Sequence, residues 1–428
     1  MRNILIMKIL KSYKFRLYPN SIQEQELCQH AGNTRFVWNK LLEYNQKYFK
    51  ENKKYIFSYD MITSLPKIKE EFEFLRLSAA QSLQQVGLNL DKAIKHSIKK
   101  ETIEKRNQKI AKATTEIQKI KAYDYGKPKF KKKKCTDSFK IVEKFHINKH
   151  SITLPKIGKV KCVKHRKLEG KPKFLTISKD NNQWFCSITT EINLIEKPLD
   201  KNNIVGIDVG LKEFAVLSDN TIVKRERFLN KYTKKLKREQ RHLSRKTKVS
   251  KNRVKQIKKV HNLHRKIKNQ RKDFLHKVTS SMIAKYSGFI LEDLSISNMM
   301  KNHKLARNIS DVSWYEFSRM LEYKSLWNFK YFVKVDKFFA SSKICNNCNN
   351  KKVDLTLKDR VYKCNNCGTI IDRDYNASKN ILEEGLRIIE NTAGHAGINA
   401  CGDERFRVSE RKHRCSSKKQ EKELIHKY

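Results

Sequence analysis

The stretch that most constrains this chain runs from Cys345 to Asn380 and reads CNNCNNKKVDLTLKDRVYKCNNCGTIIDRDYNASKN. It holds two Cys-x-x-Cys pairs, Cys345 with Cys348 and Cys364 with Cys367, separated by the fifteen residues 349–363. Four thiolates at that spacing close a tetrahedral shell around one zinc ion, with each pair in a tight knuckle and the loop between them forming a small hairpin. Disulfide pairing is the weaker reading, because a Cys-x-x-Cys bridge staples little and no secretory context exists to oxidise it. A four-cysteine shell has no open position for water, so the ribbon is a scaffold. The chemistry must lie elsewhere.

The charge balance narrows the partner. The chain has 428 residues with 38% hydrophobic content, enough for about two to four ordinary domains. Against 44 Asp and Glu stand 95 Lys and Arg, a formal charge of +51. A field that large opposes the compact state unless a polyanion neutralises it, so the expected partner is nucleic acid held over an extended surface. A basic structural protein, such as a ribosomal component, would satisfy the same number. Charge therefore names a partner class and not an activity. Lys8 and Lys11 interrupt the apolar residues of the N-terminus, no small-residue cleavage site follows, and no apolar run is long enough to span a bilayer. The expectation is a cytoplasmic, nucleoid-associated protein without a membrane partner, and no obligate protein partner is evident. Cys28, Cys135, Cys162, Cys186, Cys401 and Cys415 lack ligand spacing and read as ordinary thiols in a reducing compartment.

Along the chain, residues 13–19 alternate as a half-buried strand that stops at Pro19. Ser21, with Glu24 three residues on, is the expected N-cap of one or two helices carrying Arg35 and Trp38. Leu83, Val86, Leu90 and Ala93 share one face of a second helix over about Ser78–Lys100, and a charged helix is expected over Ile103–Ala122. The basic run from Gly126 to Lys134, broken by Pro128 and Phe130, can lie along a phosphate backbone or be a solvated loop. Short alternating segments at 151–154, 174–177 and 184–188 predict a small antiparallel sheet or barrel. At Ile204 the character changes to a buried strand, IVGIDVG, with Phe214–Leu217 as its hairpin partner. Residues 229–285 follow as a long basic helical hairpin, with Leu229, Leu236 and Leu243 on one seam and Ile257, Val260, Leu263, Ile267 and Phe274 on the other. A second buried strand, 288–291, ends in Glu292. A helix from Trp314 to about Phe332 and a strand over Phe332–Phe339 lead into the ribbon.

Asp208, Glu292 and Asp374 stand out. Each lies at the edge of a short apolar strand or at the start of the helix behind it, where a carboxylate must be paired, protonated or bound to a cation. The bland alternative for Asp208 is a turn cap. Three convergent carboxylates suit two magnesium ions about 4 Å apart, which activate water and stabilise the leaving oxygen in phosphodiester cleavage. Asp293 and Asp372 are alternatives for the second and third positions, and Asp372 could instead cap the helix. Asp374 is preferred because its register puts it at a helix N-terminus, with Asn376 and Asn380 as donors behind it.

The combination of GIDVGLKEFAVLSD, GFILEDL, SSKICNNC, YKCNNCG and DRDYNASKNIL resembles the TnpB (OrfB) family of the IS200/IS605 and IS607 insertion sequences, relatives of the type V CRISPR effectors. YKFRLYPNSIQEQEL, RFVWN, GKPKFKKKK and RKDFLHK extend the resemblance over nearly the whole chain. The resemblance implies a multidomain α/β and α+β protein. A split RuvC nuclease domain of ribonuclease H-like fold would occupy 201–344 and 368–390, with the hairpin 229–285 within it and the four-cysteine zinc ribbon 345–367 inserted. An N-terminal unit, 1–200, would be a β-barrel interrupted by a helical lobe at 21–122. A basic tail, 391–428, is expected to be mobile. The activity implied is RNA-guided DNA endonuclease, with a guide RNA, a DNA target with a short flanking motif, structural zinc on Cys345, Cys348, Cys364 and Cys367, and magnesium on Asp208, Glu292 and Asp374. One departure is Asn349, where the family commonly has glycine after the first knuckle; asparagine tolerates the same left-handed backbone. Direct single-strand transposition fits less well, because His146 and His150, or His261 and His264, lack a His-hydrophobic-His spacing. The contrasting class is a transposition-associated DNA- or RNA-binding regulator without nuclease activity.

Overall fold

A computed structural model of the chain describes residues 6–133, 137–180, 182–195, 199–352, 354–356 and 359–393. The expected mobile tail lies outside the described residues from 394 onward, as do Lys134, Cys135, Cys401 and Cys415. Two compact units emerge, Lys8–Asn193 and a second that begins at Leu194.

In the first unit, β1 (Ile6–Tyr18) leads into one 32-residue helix, α1 (Ser21–Asn52). The N-cap is Asn20 and not Ser21. The Asn20 side chain accepts from Gln23 N at 2.8 Å while Gln23 Oε1 accepts from Asn20 N at 3.2 Å, a reciprocal box that leaves Ser21 and Glu24 inside the first turn. Next come α2 (Ser58–Thr63), α3 (Leu65–Glu71), a 3-10 turn at Glu73–Leu77 and α4 (Ala80–Ser97). The single helix expected over 103–122 is two, α5 (Lys100–Ala111), which ends at a C-cap on Lys112, and α6 (Glu116–Tyr123), which Thr115 caps by accepting from Gln118 N. Val37, Trp38, Leu41 and Leu42 of α1 close a helical core with Leu83, Val86, Leu90 and Ile94 of α4.

The basic run after α6 is a docked strap. Trp38 Nε1 donates to Lys129 O at 3.0 Å, and the Asn39 amide both donates to Lys131 O and accepts from Lys131 N. Its backbone is thus tied to α1 while Lys129, Phe130, Lys132 and Lys133 stay exposed. Strands β2 (Ser138–Ile141), β3 (His146–Ile147), β4 (Ser151–Leu154), β5 (Gly158–Val163), β6 (Lys171–Asp180) and β7 (Gln183–Ile195) join β1 in one sheet, ordered β2-β6-β7-β1-β5-β4-β3. Among the described residues β2 and β3 are its edges, so no pairing closes it into a barrel. Its inward residues, including Phe15, Ile152, Ile177 and Trp184, share one core with Leu27 and Ala31 of α1.

The second unit is built on a five-stranded sheet: β8 (Ile204–Val209), β9 (Ala215–Leu217), β10 (Ile222–Val223), β11 (Gly288–Glu292) and β12 (Tyr331–Val335), in the order β10-β9-β8-β11-β12. The hairpin side is antiparallel, whereas β8, β11 and β12 run parallel. Between β10 and β11 rises the basic hairpin, α7 (Phe228–Ser244) and α8 (Lys251–Lys285), sealed by Leu236, Val260 and Leu263. Three helices bridge β11 to β12: α9 (Ile296–Met299), α10 (His303–Val312) and α11 (Trp314–Trp327). Buried Asp311 at the end of α10 takes Arg271 of α8 at 2.9 Å and accepts from Leu229 N at the start of α7, which anchors the hairpin's base. The ribbon carries β13 (Val361–Lys363) and β14 (Ile370–Asp372), and α12 (Arg373–Ala393) follows at once.

Helix α12 lies directly on β8. A Cβ at Gly206 would sit 2.2 Å from Ser378 O and 2.7 Å from Leu382 N, so only glycine permits that approach.

Candidate metal centres

The four cysteines predicted from spacing converge. Their Sγ atoms all lie within 4.8 Å of one another, with Cys345 and Cys367 3.7 Å apart and Cys348 and Cys364 3.5 Å apart. A tetrahedron with metal–sulfur bonds of about 2.3 Å has edges of about 3.8 Å, so the quartet fits a zinc-sized ion. Asn349, with φ +58°, takes the left-handed backbone expected of it, and its N–H returns to Cys345 O at 2.9 Å. Gly368, φ +72°, follows the second knuckle in the same way. Tyr362 is fully buried between the knuckles, its hydroxyl 3.2 Å from Lys343 O and 3.3 Å from Asn350 O. Burial pushes that phenol up to about 12. The hydroxyl and backbone of Thr369 hold the Cys367 thiol down to about 5, which favours the thiolate a metal needs.

The carboxylates come from three elements. Leu291 pairs with Ile207 across the parallel strands, so Glu292 and Asp208 stand side by side at the end of β11 and β8. Seating Ser378 on Gly206 sends the start of α12, one turn away, toward that same end. Burial raises the Asp208 carboxyl well above its ordinary value, and the charges of Glu292 and Asp374 raise it further. Among the described residues no hydrogen bond or ion pair engages the Asp208 carboxylate. Elsewhere in the unit Asp219 has Lys285 at 2.9 Å and Asp311 has Arg271. Burial also raises Glu292, opposed by the hydroxyl of Ser341, which donates to Glu292 Oε1. Two half-buried, same-signed oxygen donors, with Arg373 acting on Asp208 only through its charge and no ion pair to either among the described residues, are a donor set suited to a hard divalent cation.

Asp374 differs from expectation. Its carboxylate is engaged locally: Arg373 bonds Oδ1 through Nη2 at 2.9 Å and Nε at 3.1 Å, and Arg360 stands 3.9 Å from Oδ2. The three carboxylates accordingly do not close to the mutual 4.8 Å of the thiols. Asp372 caps α12, accepting from Asp374 N at 2.9 Å and Tyr375 N at 3.0 Å, which leaves Asp374 as the carboxylate of the first turn. Asn376 and Asn380, expected as donors behind Asp374, make no direct bond to the carboxylates among the described residues. Both donate to Ile344 O at 2.7 Å, Asn380 also to Ser341 O, and Asn346 N donates to Asn376 Oδ1, so the pair ties the helix to the first knuckle. Ser341, Arg360 and Arg373 escaped the sequence reading. Ser341 stands four residues before Cys345 and 49 from Glu292, a separation that no local pattern reveals.

Comparison with known proteins agrees with the motif reading. "Putative RNA-guided DNA endonuclease InsQ" of Escherichia coli (strain K12) is 32% identical over 416 residues, spanning 93% of this chain and 95% of that protein. The chain belongs to the TnpB (OrfB) family. A Streptomyces pristinaespiralis relative of the family, "Putative RNA-guided DNA endonuclease", is 31% identical over 93% of this chain and 92% of its own length. Three family models match: a helix-turn-helix domain at 7–54, a probable transposase at 187–303, and a Cas12f1-like TNB domain at 314–381. The TNB match contains all four cysteines and Asp374. A solved structure titled "Cryo-EM structure of the Cas12f1-sgRNA-target DNA complex" overlays at TM-score 0.32 and 17% identity, covering 87% of this chain and 98% of that one, too loosely to bear on the fold. No described helix is long and apolar enough to cross a membrane.

Proposed function

We propose that this chain is an RNA-guided DNA endonuclease encoded by an insertion sequence, and that Asp208, Glu292 and Asp374 are the catalytic carboxylates. The observation that carries the reading is the convergence of β8, β11 and the start of α12 on one acidic spot in a chain of charge +51. The sheet order, antiparallel on the hairpin side and parallel beyond β8, supports a RuvC-type, ribonuclease H-like domain over 201–344 and 368–390 with the ribbon inserted. The N-terminal unit would hold the guide RNA and read a short motif beside the DNA target. Base pairing with the guide would supply sequence specificity.

Magnesium, when bound, would supply charge for the attacking water and the leaving oxygen. The protein's part is positional. β8 and β11 present Asp208 and Glu292 from a rigid sheet, Ser341 fixes one Glu292 oxygen, and Arg373 holds Asp374 until a cation competes for it. Zinc on the four cysteines would hold the ribbon against α12. A regulator without cleavage would keep the basic surface and the ribbon, but it would have no use for an unpartnered Asp208 beside Glu292.

The test begins with the full chain purified from cells carrying its native flanking DNA. One discrete co-purifying RNA with a constant part is expected, and the complex should cut DNA matched to that RNA only when magnesium is present. Asp208→Ala should lower cleavage by at least about 10²- to 10³-fold with RNA binding unchanged. Heterogeneous RNA, or undiminished cutting by the variant, would refute the assignment.

A further inference from the structure

We propose that Ser341 is a positioning residue for Glu292 and that the zinc ribbon locks it there through Asn376 and Asn380. This rests on the reading of Glu292 as a metal ligand. Ser341 is 6% exposed, and its hydroxyl donates to Glu292 Oε1, leaving Oε2 for a cation. The hydroxyl is held by its bond to Glu292 and is placed no more precisely than the backbone that carries it, and here that backbone is tied explicitly. Asn380, 2% exposed, donates to Ser341 O and to Ile344 O, both at 2.7 Å. Asn376, 1% exposed, donates to Ile344 O and accepts from Asn346 N. Ile344 and Asn346 flank the first ribbon thiol, Cys345. Hydrogen bonds and short backbone links thus run from the residues flanking Cys345 through two buried asparagines to Ser341 and the carboxylate.

The buried amide of Asn380 finds no partner for its Oδ1 among the described residues. Such an orphan acceptor is unfavourable in a core, which argues that the position is kept for its two N–H bonds and not for packing. The consequence is directional: zinc binding at the ribbon stiffens 341–346 and so fixes Glu292, about 50 residues away in sequence, for its own cation. The scaffold ion would then tune the affinity of the catalytic one without touching it.

The experiment measures Mn²⁺ binding to the full, zinc-loaded chain by the loss of the free Mn²⁺ resonance, with zinc content determined in parallel. Ser341→Ala should weaken Mn²⁺ binding about 10- to 100-fold, the range for removing a partner of a metal ligand, while zinc stays at about one per chain. Ser341→Thr, which keeps the hydroxyl, should restore binding to within about threefold of the parent. Stripping zinc from the parent chain should produce the same weakening, and stripping it from Ser341→Ala should add little. Unchanged Mn²⁺ affinity in Ser341→Ala, or in the zinc-stripped parent, overturns the proposal, as does equal weakening by zinc removal in both chains. A parent chain that binds no Mn²⁺ overturns the metal-site reading as well.

Discussion

Asp208 is the residue with the clearest physical signature. Desolvation and the charges of Glu292 and Asp374 outweigh the opposing charge of Arg373, so folding raises the proton affinity of the Asp208 carboxyl. The folded metal-free chain therefore binds more protons than the unfolded chain once pH exceeds the ordinary carboxylate range, and stability falls as pH rises through that window. Glu292 shifts in the same direction and adds to the effect. Asp208→Asn should consequently stabilise the metal-free chain at about pH 8 more than at about pH 4, where the parent carboxyl is already neutral. Magnesium should raise the melting temperature of the parent at the higher pH and leave the variant almost unmoved. Thermal melts in chelator and in magnesium at the two pH values give the comparison, and equal magnesium stabilisation of both chains would refute it.

Two elements decide whether the carboxylates meet: the ribbon and helix α12. Cys364→Ser should lose stoichiometric zinc, because three thiolates and a hydroxyl hold zinc poorly. Hydrogen exchange should then quicken over 341–346 and 373–377, which share the Asn376 and Asn380 bonds, while the seven-stranded unit keeps its protection. Full zinc occupancy in the variant would count against the ribbon's role. At Gly206 the obstacle to a side chain is the α12 backbone itself, which cannot turn aside as a flexible side chain would. Gly206→Ala should cost at least about 1–3 kcal/mol in denaturant unfolding and displace Asp374 from Asp208, so cleavage should fall with stability. A variant as stable as the parent would show that α12 is not held as closely as described.

For the whole molecule the governing quantity is charge. With a formal +51, nucleic-acid affinity should fall steeply with salt, each phosphate contact adding about 0.7–0.9 to the log–log slope. The hairpin α7 and α8 offers exposed lysines on a firmly sealed pair of helices, so its surface can change without loss of fold. Replacing Lys234, Lys237, Lys255 and Lys258 by alanine should reduce the slope by about one for each lysine seated on a phosphate. Zinc content and melting temperature should stay unchanged. A slope equal to the parent's would place the polyanion elsewhere.

Local chemistry made much of this protein legible before any fold was known. The cysteine spacing defined the thiol quartet because each knuckle closes over four residues, and the family resemblance, with glycine common at position 349, led to the left-handed turn that Asn349 adopts. The buried strands showed as apolar runs whose lone carboxylates had no local use, which singled out Asp208 and Glu292. The seams of the basic hairpin followed from leucine periodicity. Long-range partners were not legible. Local competition also went unread: Asn20 displaced Ser21 as the cap because Gln23 answers it, Thr115 caps a second helix within a stretch that charge pattern made continuous, and Arg373 engages its neighbour Asp374. The bond from Ser341 to Glu292, and the use of Asn376 and Asn380 to bind the knuckle, arise only when α12 settles on Gly206. Spacing within a few residues fixes a ligand or a turn, because the backbone joining them is short. A contact across some fifty residues depends on how separate strands and helices stack, and that was decided by the tertiary structure alone.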